Sequence, residues 1–453
     1  MSIFKACDIR GVAGEELHAD MAHRIGHALG RMMHRRGEKN VCVGGDFRAS
    51  TPALKQMLVT GLIDAGATVH DVGQLPTPVV HFAASVMHYP NVAIVTASHN
   101  PGRYNGIKFM VAGRPAVPEL VAELESGLDA GPGPARGERC STEVLKAYEG
   151  WMRTEATEIP KAPRRGLRVV VDGMGGAFAE IAPRVLEGVG CRVSVVASGA
   201  SIDPEFRSRA PNPAVDENLA TLRGQVVAEG ADLGIAFDGD GDRVAFVDHT
   251  GRVARPEQIG ALIAARCFDA PMVVYDQKCA SVLRRAVILV GGKPVMQPSG
   301  YGFIKTTMID RNADFGVEVS GHYFFRALHG GDDGLYAALV LIEVLLFDGR
   351  PLAELIAAVG WPAITPDVRI PFAGDASATL ERIAGGCGGT VSRLDGVRAE
   401  YDDGWAMARA SITEPLLTLR FEGRDRESLH AIVARFLAGA PELRASVQEK
   451  THE

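Results

Sequence analysis

A short apolar run, a polar loop and an amphipathic helix follow one another repeatedly along this chain of 453 residues. "KNVCVGGDFR" predicts a buried strand over 41–44 that runs into a polar loop. "TPALKQMLVTGLIDAGATVHDVG" predicts a helix over 52–65 and a strand over 68–72, with Thr51 as N-cap and Pro52 at the first helical position. "NVAIVTASHNP" predicts a strand over 92–96 that ends in a polar loop. This alternation points to a largely parallel sheet with helices packed on it.

A second block repeats the grammar, with strands over 167–171 and 192–196, a helix ending near 186, then strands over 233–237 and 244–248 on either side of an acidic loop. A third has strands over 272–276, 294–297 and 315–319 and helices over 280–290, 302–310 and 334–347. After Pro366 the apolar residues alternate, as in "WAMARAS" and "PLLTLRFEG", with helices at 380–383 and 429–437. Three similar α/β blocks and a smaller α+β tail fit this length. The expected domains are 1–148, 149–250, 251–365 and 366–453. The boundaries fall near "AGPGPARGE", the loop at 250–251 and the segment 361–367.

The 48 basic and 55 acidic side chains leave a net charge of −7, so general nucleic-acid binding is not expected. Seven scattered cysteines without a C-x-x-C pair argue against a disulfide framework or a thiolate zinc site, and for a reducing compartment. Asp8, Arg10, Glu15, Glu16 and Asp20 interrupt any apolar leader. The run "LYAALVLIEVLLF", broken by Glu343, is shorter than the ~20 residues of a membrane span. A cytoplasmic protein without a membrane partner is the expectation.

Four segments carry chemistry. In "DGDGDR", Asp238, Asp240 and Asp242 alternate with glycines, which turns three carboxylates to one side of a curling chain. Carboxylates so crowded need a cation, and hard oxygen ligands suit Mg²⁺ or Ca²⁺. An EF-hand would need Gly and Glu where Arg243 and His249 stand. "TASHNP" places Ser98 and His99 at the carboxyl end of a strand, where open sheets bind ligands. No nucleophile elbow surrounds Ser98, so a hydrolase triad is not indicated. A seryl hydroxyl beside a divalent cation can carry a phosphoryl group, although on spacing alone a serine in a turn is the commoner reading.

In "VEVSGH", period two puts Glu318 and Ser320 on one strand face, suited to gripping hydroxyl groups, with the titratable His322 beside them. "RASITEP" offers Arg409, Ser411 and Thr413 as a phosphate cradle, or else a hairpin turn with a solvated arginine.

Together with "CDIRG" at Cys7, these segments resemble, in order and over nearly the whole chain, the α-D-phosphohexomutase superfamily of the bacterial phosphomannomutase/phosphoglucomutase type. The resemblance implies three related mixed-sheet α/β domains and a smaller α+β domain around a central cleft. It implies that phosphorylated Ser98 donates its phosphoryl group to a hexose monophosphate. A hexose 1,6-bisphosphate turns over in the cleft, also serving as activator, and returns its other phosphate to Ser98. Mg²⁺ would sit on Asp238, Asp240, Asp242 and the seryl phosphate.

Arg10, Lys108 (in "YNGIKFM") and Arg243 would surround the transferring group, and His99 and Asn100 would shape its loop. Lys278, Glu318 and Ser320 would hold the substrate. Arg409, Ser411 and Thr413 would clamp the phosphate that is not reacting. Lys108 or His322 would handle protons. The partner implied is a small hexose phosphate, and the protein a monomer or homodimer. So many cations in one cleft would focus positive potential on a dianion despite the negative net charge.

The chain departs from the family pattern at five places. Cys7 stands for the usual Tyr, Val317 for Gly, Val319 for Met or Gln, and Ile412 for Asn or Gly. Tyr301 stands where a substrate-facing His often precedes a helix. None touches Ser98 or the aspartates, so these positions bear on sugar preference, with phosphoglucosamine mutase as the alternative within the family. A Mg²⁺-dependent phosphatase is the alternative outside it.

Overall fold

The computed structural model describes residues 2–129, 131, 136–154, 157–159, 166–410 and 415–451. The first sheet contains β1 (Ile9–Val12), β2 (Asn40–Gly45), β3 (Thr68–Gln74), β4 (Val92–Val95), β5 (Tyr104–Val111), β6 (Arg114–Pro115) and β7 (Glu138–Ser141). Its order is β1-β5-β4-β2-β3-β7, with β6 on β5. The second has β8 (Arg168–Asp172), β9 (Arg192–Val195), β10 (Leu233–Phe237), β11 (Val244–Asp248) and β12 (Val253–Ala254) in the order β12-β11-β10-β8-β9. The third has β13 (Met272–Asp276), β14 (Lys293–Gln297), β15 (Phe315–Val317), β16 (Tyr323–Phe325) and β17 (Gly331–Asp332) in the order β14-β13-β15-β16-β17.

The three sheets share one plan. One strand pairs in parallel with the next strand and with the next but one, and the chain then turns back antiparallel on the third of these. The sheets are therefore mixed rather than largely parallel. In each, the loop that makes the reversal carries a chemistry-bearing segment: 96–103 between β4 and β5, 238–243 between β10 and β11, and 318–322 between β15 and β16. The parallel strands are buried on both faces, so β4 and β10 read as unbroken apolar runs.

The fourth sheet is antiparallel and contains β18 (Ala363–Ile364), β19 (Val368–Pro371), β20 (Thr390–Ser392), β21 (Val397–Tyr401), β22 (Gly404–Ala410) and β23 (Leu416–Gly423). The alternating segments of the tail form β22 and β23. The helices expected at 380–383 and 429–437 are Ala376–Gly386 and Arg426–Phe436. The expected boundaries cut elements: the helix Leu145–Thr154 runs through 148/149, β12 pairs with β11 beyond 250, and β18 pairs with β23 before 365.

Two local expectations change. Ser50, not Thr51, precedes the helix Thr51–Asp64, and the Thr51 hydroxyl donates to Asp46 Oδ1 at 2.6 Å instead of capping. The strand expected to reach 319 stops at Val317, because the chain turns at Gly321 (φ 96°) and Glu318 N–H donates to His322 O. Glu318 and Ser320 therefore share a turn, not a strand face.

One buried apolar core runs through the first three sheets, from Ile94 and Tyr148 through Phe178, Phe237 and Phe246 to Tyr323 and Leu339. The fourth sheet has its own core, with Val368, Leu419, Phe421 and Phe436. No helix among the described residues is long and apolar enough to cross a membrane.

Candidate active site

Ser98 is buried, and its backbone sits in the left-handed region (φ 51°), a conformation that costs a non-glycine residue of order 1–3 kcal/mol. Its hydroxyl donates to Asp238 Oδ2 at 2.6 Å and lies 3.2 Å from His99 Nδ1. Its N–H donates to Thr96 Oγ1. The metal loop packs directly on this turn: a Cβ added at Gly239 would fall 2.4 Å from Ser98 O. Glycine at that position is what permits the approach.

Asp238, Asp240 and Asp242 are buried, and their candidate ligand oxygens lie within 4.8 Å of one another. Gly241, with φ 84°, closes the loop by donating its N–H to Asp238 Oδ1. Oδ1 of Asp240 and Oδ1 of Asp242 are buried without a hydrogen-bond partner, as expected of oxygens kept for a cation. The donor set is all hard oxygen and fits a divalent metal ion.

Lys108, on β5, bonds Asp240 Oδ2 at 2.8 Å and also pairs with Asp242. Against its own burial, the three carboxylates hold this ammonium charged. Burial, then Asp240 and Asp242, push Asp238 up to about 8, whereas Lys108 holds Asp240 well below the usual carboxylate range. Thr77, at the start of the helix Thr77–Val86, fixes Asp240 twice, by Oγ1 to Oδ2 (2.7 Å) and by N–H to the carbonyl oxygen (2.9 Å).

Arg10, on β1, donates to Asn100 Oδ1 at 2.8 Å and pairs with Asp8, while its Nε is buried without a partner. Burial, with Arg243 and Arg10 nearby, keeps His99 neutral. Arg243 Nε donates to His322 Nε2 at 2.8 Å, and His322 Nδ1 lies 2.7 Å from Asp332 Oδ2. That pattern is a neutral imidazole protonated at Nδ1. Against burial and Arg243, Asp242 and Asp332 raise the pKa of this ring.

The loop 318–322 joins this cluster through His322, which Arg243 bonds. Glu318 Oε2 and Ser320 Oγ are buried and unpartnered. Ser320 Oγ, Asp367 Oδ1 and Arg420 Nε, all buried without a hydrogen-bond partner, line a cavity of about 370 Å³ beside this loop, where Arg420 Nη1 forms a long ion pair with Asp367 (3.9 Å). Lys278 pairs with Asp367 (2.9 Å), and Arg409 pairs with Asp395 (2.6 Å). Ser411 and Thr413 lie outside the described residues.

Two departures from the family pattern touch each other: the Tyr301 hydroxyl donates to the Cys7 carbonyl at 2.9 Å. The Tyr301 ring then lies 5.6 Å from the Lys108 ammonium. The structure thus gathers Ser98, His99, Arg10, Lys108, Arg243, His322, Tyr301 and the three aspartates. Glu318 and Ser320 stand on the adjacent loop, Lys278 follows β13 and pairs with Asp367, and Arg409 stands on β22 of the fourth sheet itself.

Sequence reasoning missed Asp46, Arg48, Thr77, Asp332 and Asp395. "GGDFRAST" holds an acid and an arginine just after a strand, which was the one available signal for Asp46 and Arg48.

The chain matches, in order, "Phosphoglucomutase/phosphomannomutase, alpha/beta/alpha domain I" over 1–132, domain II over 150–251, domain III over 255–360, and the C-terminal domain over 368–439. It is 38% identical over 446 residues to a phosphomannomutase/phosphoglucomutase of Pseudomonas aeruginosa, covering 96% of this chain and 94% of that protein. It is 32% identical over 449 residues to a phosphoglucomutase of Neisseria gonorrhoeae, covering 96% of each. A crystal structure of a phosphoglucomutase/phosphomannomutase family protein from Burkholderia thailandensis superposes with a TM-score of 0.89 at 33% identity, covering 98% of this chain and 97% of that one.

Proposed function

The chain belongs to the phosphoglucomutase/phosphomannomutase family, and from that premise we propose that it interconverts hexose 6-phosphate and hexose 1-phosphate, of mannose and/or glucose, through phosphorylated Ser98. The observation that carries this reading is the strained, buried Ser98 with its hydroxyl 2.6 Å from a carboxylate triad. Hydrolysis by a triad would instead need a base strong enough to take the seryl proton, and burial, with Arg243 and Arg10 nearby, makes His99 a weak one by pushing its pKa down.

The Oγ–P bond of Ser98 breaks as a new O–P bond forms to the free hydroxyl at C1 or C6 of the sugar; that hydroxyl gives up its proton, and Ser98 Oγ takes one up to return as a hydroxyl. The resulting hexose 1,6-bisphosphate turns over, and its other phosphate returns to Ser98. A divalent cation, which we take to be Mg²⁺, would be held by Asp238, Asp240, Asp242 and the seryl phosphate, where it would offset charge on the transferring group and its bridging oxygen. Lys108, Arg10 and Arg243 supply the remaining positive charge. When Arg243 turns to the phosphate, His322 Nε2 is released, and Asp242 and Asp332 favour its taking a proton from the sugar hydroxyl. Glu318 and Ser320 hold sugar hydroxyls, with Tyr301 and Lys278 alongside. Arg409, with Ser411 and Thr413, takes the distal phosphate.

We propose domain divisions near 148, 250 and 365, adjusted so that Leu145–Thr154 stays whole, β12 stays with the second sheet and β18 with the fourth. The seven cysteines are all unpaired, which fits a cytoplasmic protein.

The test is turnover of mannose 1-phosphate, glucose 1-phosphate and glucosamine 1-phosphate at fixed Mg²⁺ with a trace of hexose 1,6-bisphosphate. Turnover of the first two with little of the third is expected, and Ser98→Ala should abolish it while sparing ligand binding. Preference for glucosamine 1-phosphate moves the chain to phosphoglucosamine mutase. Phosphate release without isomerisation overturns the mutase reading in favour of a phosphatase.

A further inference from the structure

Arg48 is fully buried, yet it touches neither the carboxylate triad nor the cleft. All five of its guanidinium hydrogens are committed. Nε donates to Asp46 Oδ2 (3.0 Å). Nη2 donates to the carbonyl oxygens of Ser98 and Asn100 (2.7 Å each). Nη1 donates to the carbonyl oxygens of Pro101 (2.9 Å) and Tyr104 (3.2 Å). Three carbonyls of one loop and that of Tyr104, at the start of β5, thus converge on one planar fork, a task that an ammonium with three hydrogens at a single point cannot reproduce.

The fork is itself anchored. Asp46 also accepts from the Thr51 hydroxyl (2.6 Å), the Thr96 hydroxyl (2.8 Å) and the Arg48 N–H (3.0 Å). Thr96 Oγ1 in turn accepts from the Ser98 N–H at 2.9 Å. Ser98 is therefore held on both sides, its N–H through Thr96 and its carbonyl through Arg48. The far face of the guanidinium lies 4.8 Å from the centre of the Phe206 ring, on the loop that the second domain lays against the serine turn.

A left-handed serine does not persist without such support. We propose that Arg48 is a positioning residue for phosphoryl transfer: it clamps the loop carbonyls so that Ser98 keeps its strained backbone and aims Oγ at the carboxylate triad. The proposal rests on Ser98 being the phosphoryl carrier. It assigns to Arg48 the geometry of that carrier, and no contact with substrate.

The experiment uses the full chain with Arg48→Lys and Arg48→Gln. Each is charged with glucose 1,6-bisphosphate, the seryl phosphate is followed by intact mass, and single-turnover transfer to glucose 1-phosphate is timed. Displacement of a reacting group by about 1 Å is worth about 100-fold in rate. Both variants are expected to transfer about 100-fold more slowly, with KM for glucose 1-phosphate within about threefold of the unmutated value. Lys is expected to do no better than Gln, because the fork and not the charge is at issue.

Transfer at the unmutated rate in either variant overturns the proposal, and so does rescue by Lys alone. A rise in KM with transfer unchanged does the same. Should both variants fail to fold, Thr96→Val removes the hydroxyl that ties Ser98 N–H to Asp46 while keeping the shape. It should slow transfer about tenfold at unchanged KM, and an unchanged rate overturns the clamp. An unmutated protein that takes up no seryl phosphate overturns the carrier reading and the clamp together. A phosphorylated protein whose variants transfer normally overturns the clamp alone.

Discussion

Replacing Gly239 by alanine would drive a methyl group into the serine turn. The added Cβ would lie 2.4 Å from Ser98 O, 3.1 Å from Pro211 and 3.2 Å from Phe206. Ordinary contact begins at 3.4 Å, so the metal loop and the serine turn must separate by about 1 Å. Arg48 and Thr96 hold the serine side, and Thr77 and the Gly241 N–H hold the metal side, so neither loop yields freely. The backbone at 239 is not left-handed, and the effect is therefore steric rather than conformational.

Overpacking of this kind costs about 1–3 kcal/mol of stability. A displacement of about 1 Å between Ser98 Oγ and the triad is worth about 100-fold in transfer. The assay is kcat for glucose 1-phosphate with hexose 1,6-bisphosphate, read beside thermal melting. Gly224→Ala, at an exposed position of the helix Ala220–Glu229 with nothing within 4 Å, is the control and should gain about 0.5–1 kcal/mol with unchanged kcat. A Gly239→Ala protein with kcat within threefold of the unmutated enzyme would refute the claim that the two loops are held in fixed apposition.

Two other outcomes are expected. Asp333 caps the helix Gly334–Asp348, accepting from Leu335 N–H and Tyr336 N–H, and burial pushes its pKa from 3.8 to about 7. The folded state thus holds a proton that the unfolded state loses first, so this group's contribution is full below about pH 4 and is lost as pH rises toward 7, by up to about 4 kcal/mol. Asp333→Asn, which keeps the cap acceptor, should flatten the fall in stability between pH 4 and 7 measured by urea unfolding; an identical profile counts against the assignment. Asp395 occupies the guanidinium of Arg409, so Asp395→Asn should lower KM for glucose 1-phosphate by up to about fivefold, the yield of a partly exposed pair. A raised KM would show that Asp395 orients Arg409 rather than competing with the phosphate.

The strands and the loops they launch were legible because both are local. A buried β-branched run such as "VAIV" and a Gly-Asp alternation need no tertiary knowledge. Strand polarity was less legible: the reversal after β4, β10 and β15 depends on which strand returns beside which, and no periodicity reports that. The alternation in "VEVS" points Glu318 and Ser320 to one strand face, but the turn at Gly321 ends the ladder two residues earlier than alternation suggests. The role of Arg48, as opposed to its place after a strand, is hidden for a different reason. Its partners are main-chain oxygens some fifty residues away, and a carbonyl has no letter in a sequence. Lys108 was placed among the phosphate-binding groups by motif, and the structure adds that it also offsets the repulsion among the aspartates.

The apolar core that runs unbroken through the first three sheets has a thermodynamic consequence. Three units that look separate in the primary sequence share one cluster of buried side chains beside cores of their own, with Tyr148 stacked on Phe178 and Trp151 on Tyr336 across their joints. They should melt as a single cooperative block, while the fourth sheet, closed around Phe421 and Phe436, melts on its own. Calorimetry should then resolve two transitions rather than four. The enthalpy of the larger should scale with three domains' worth of residues.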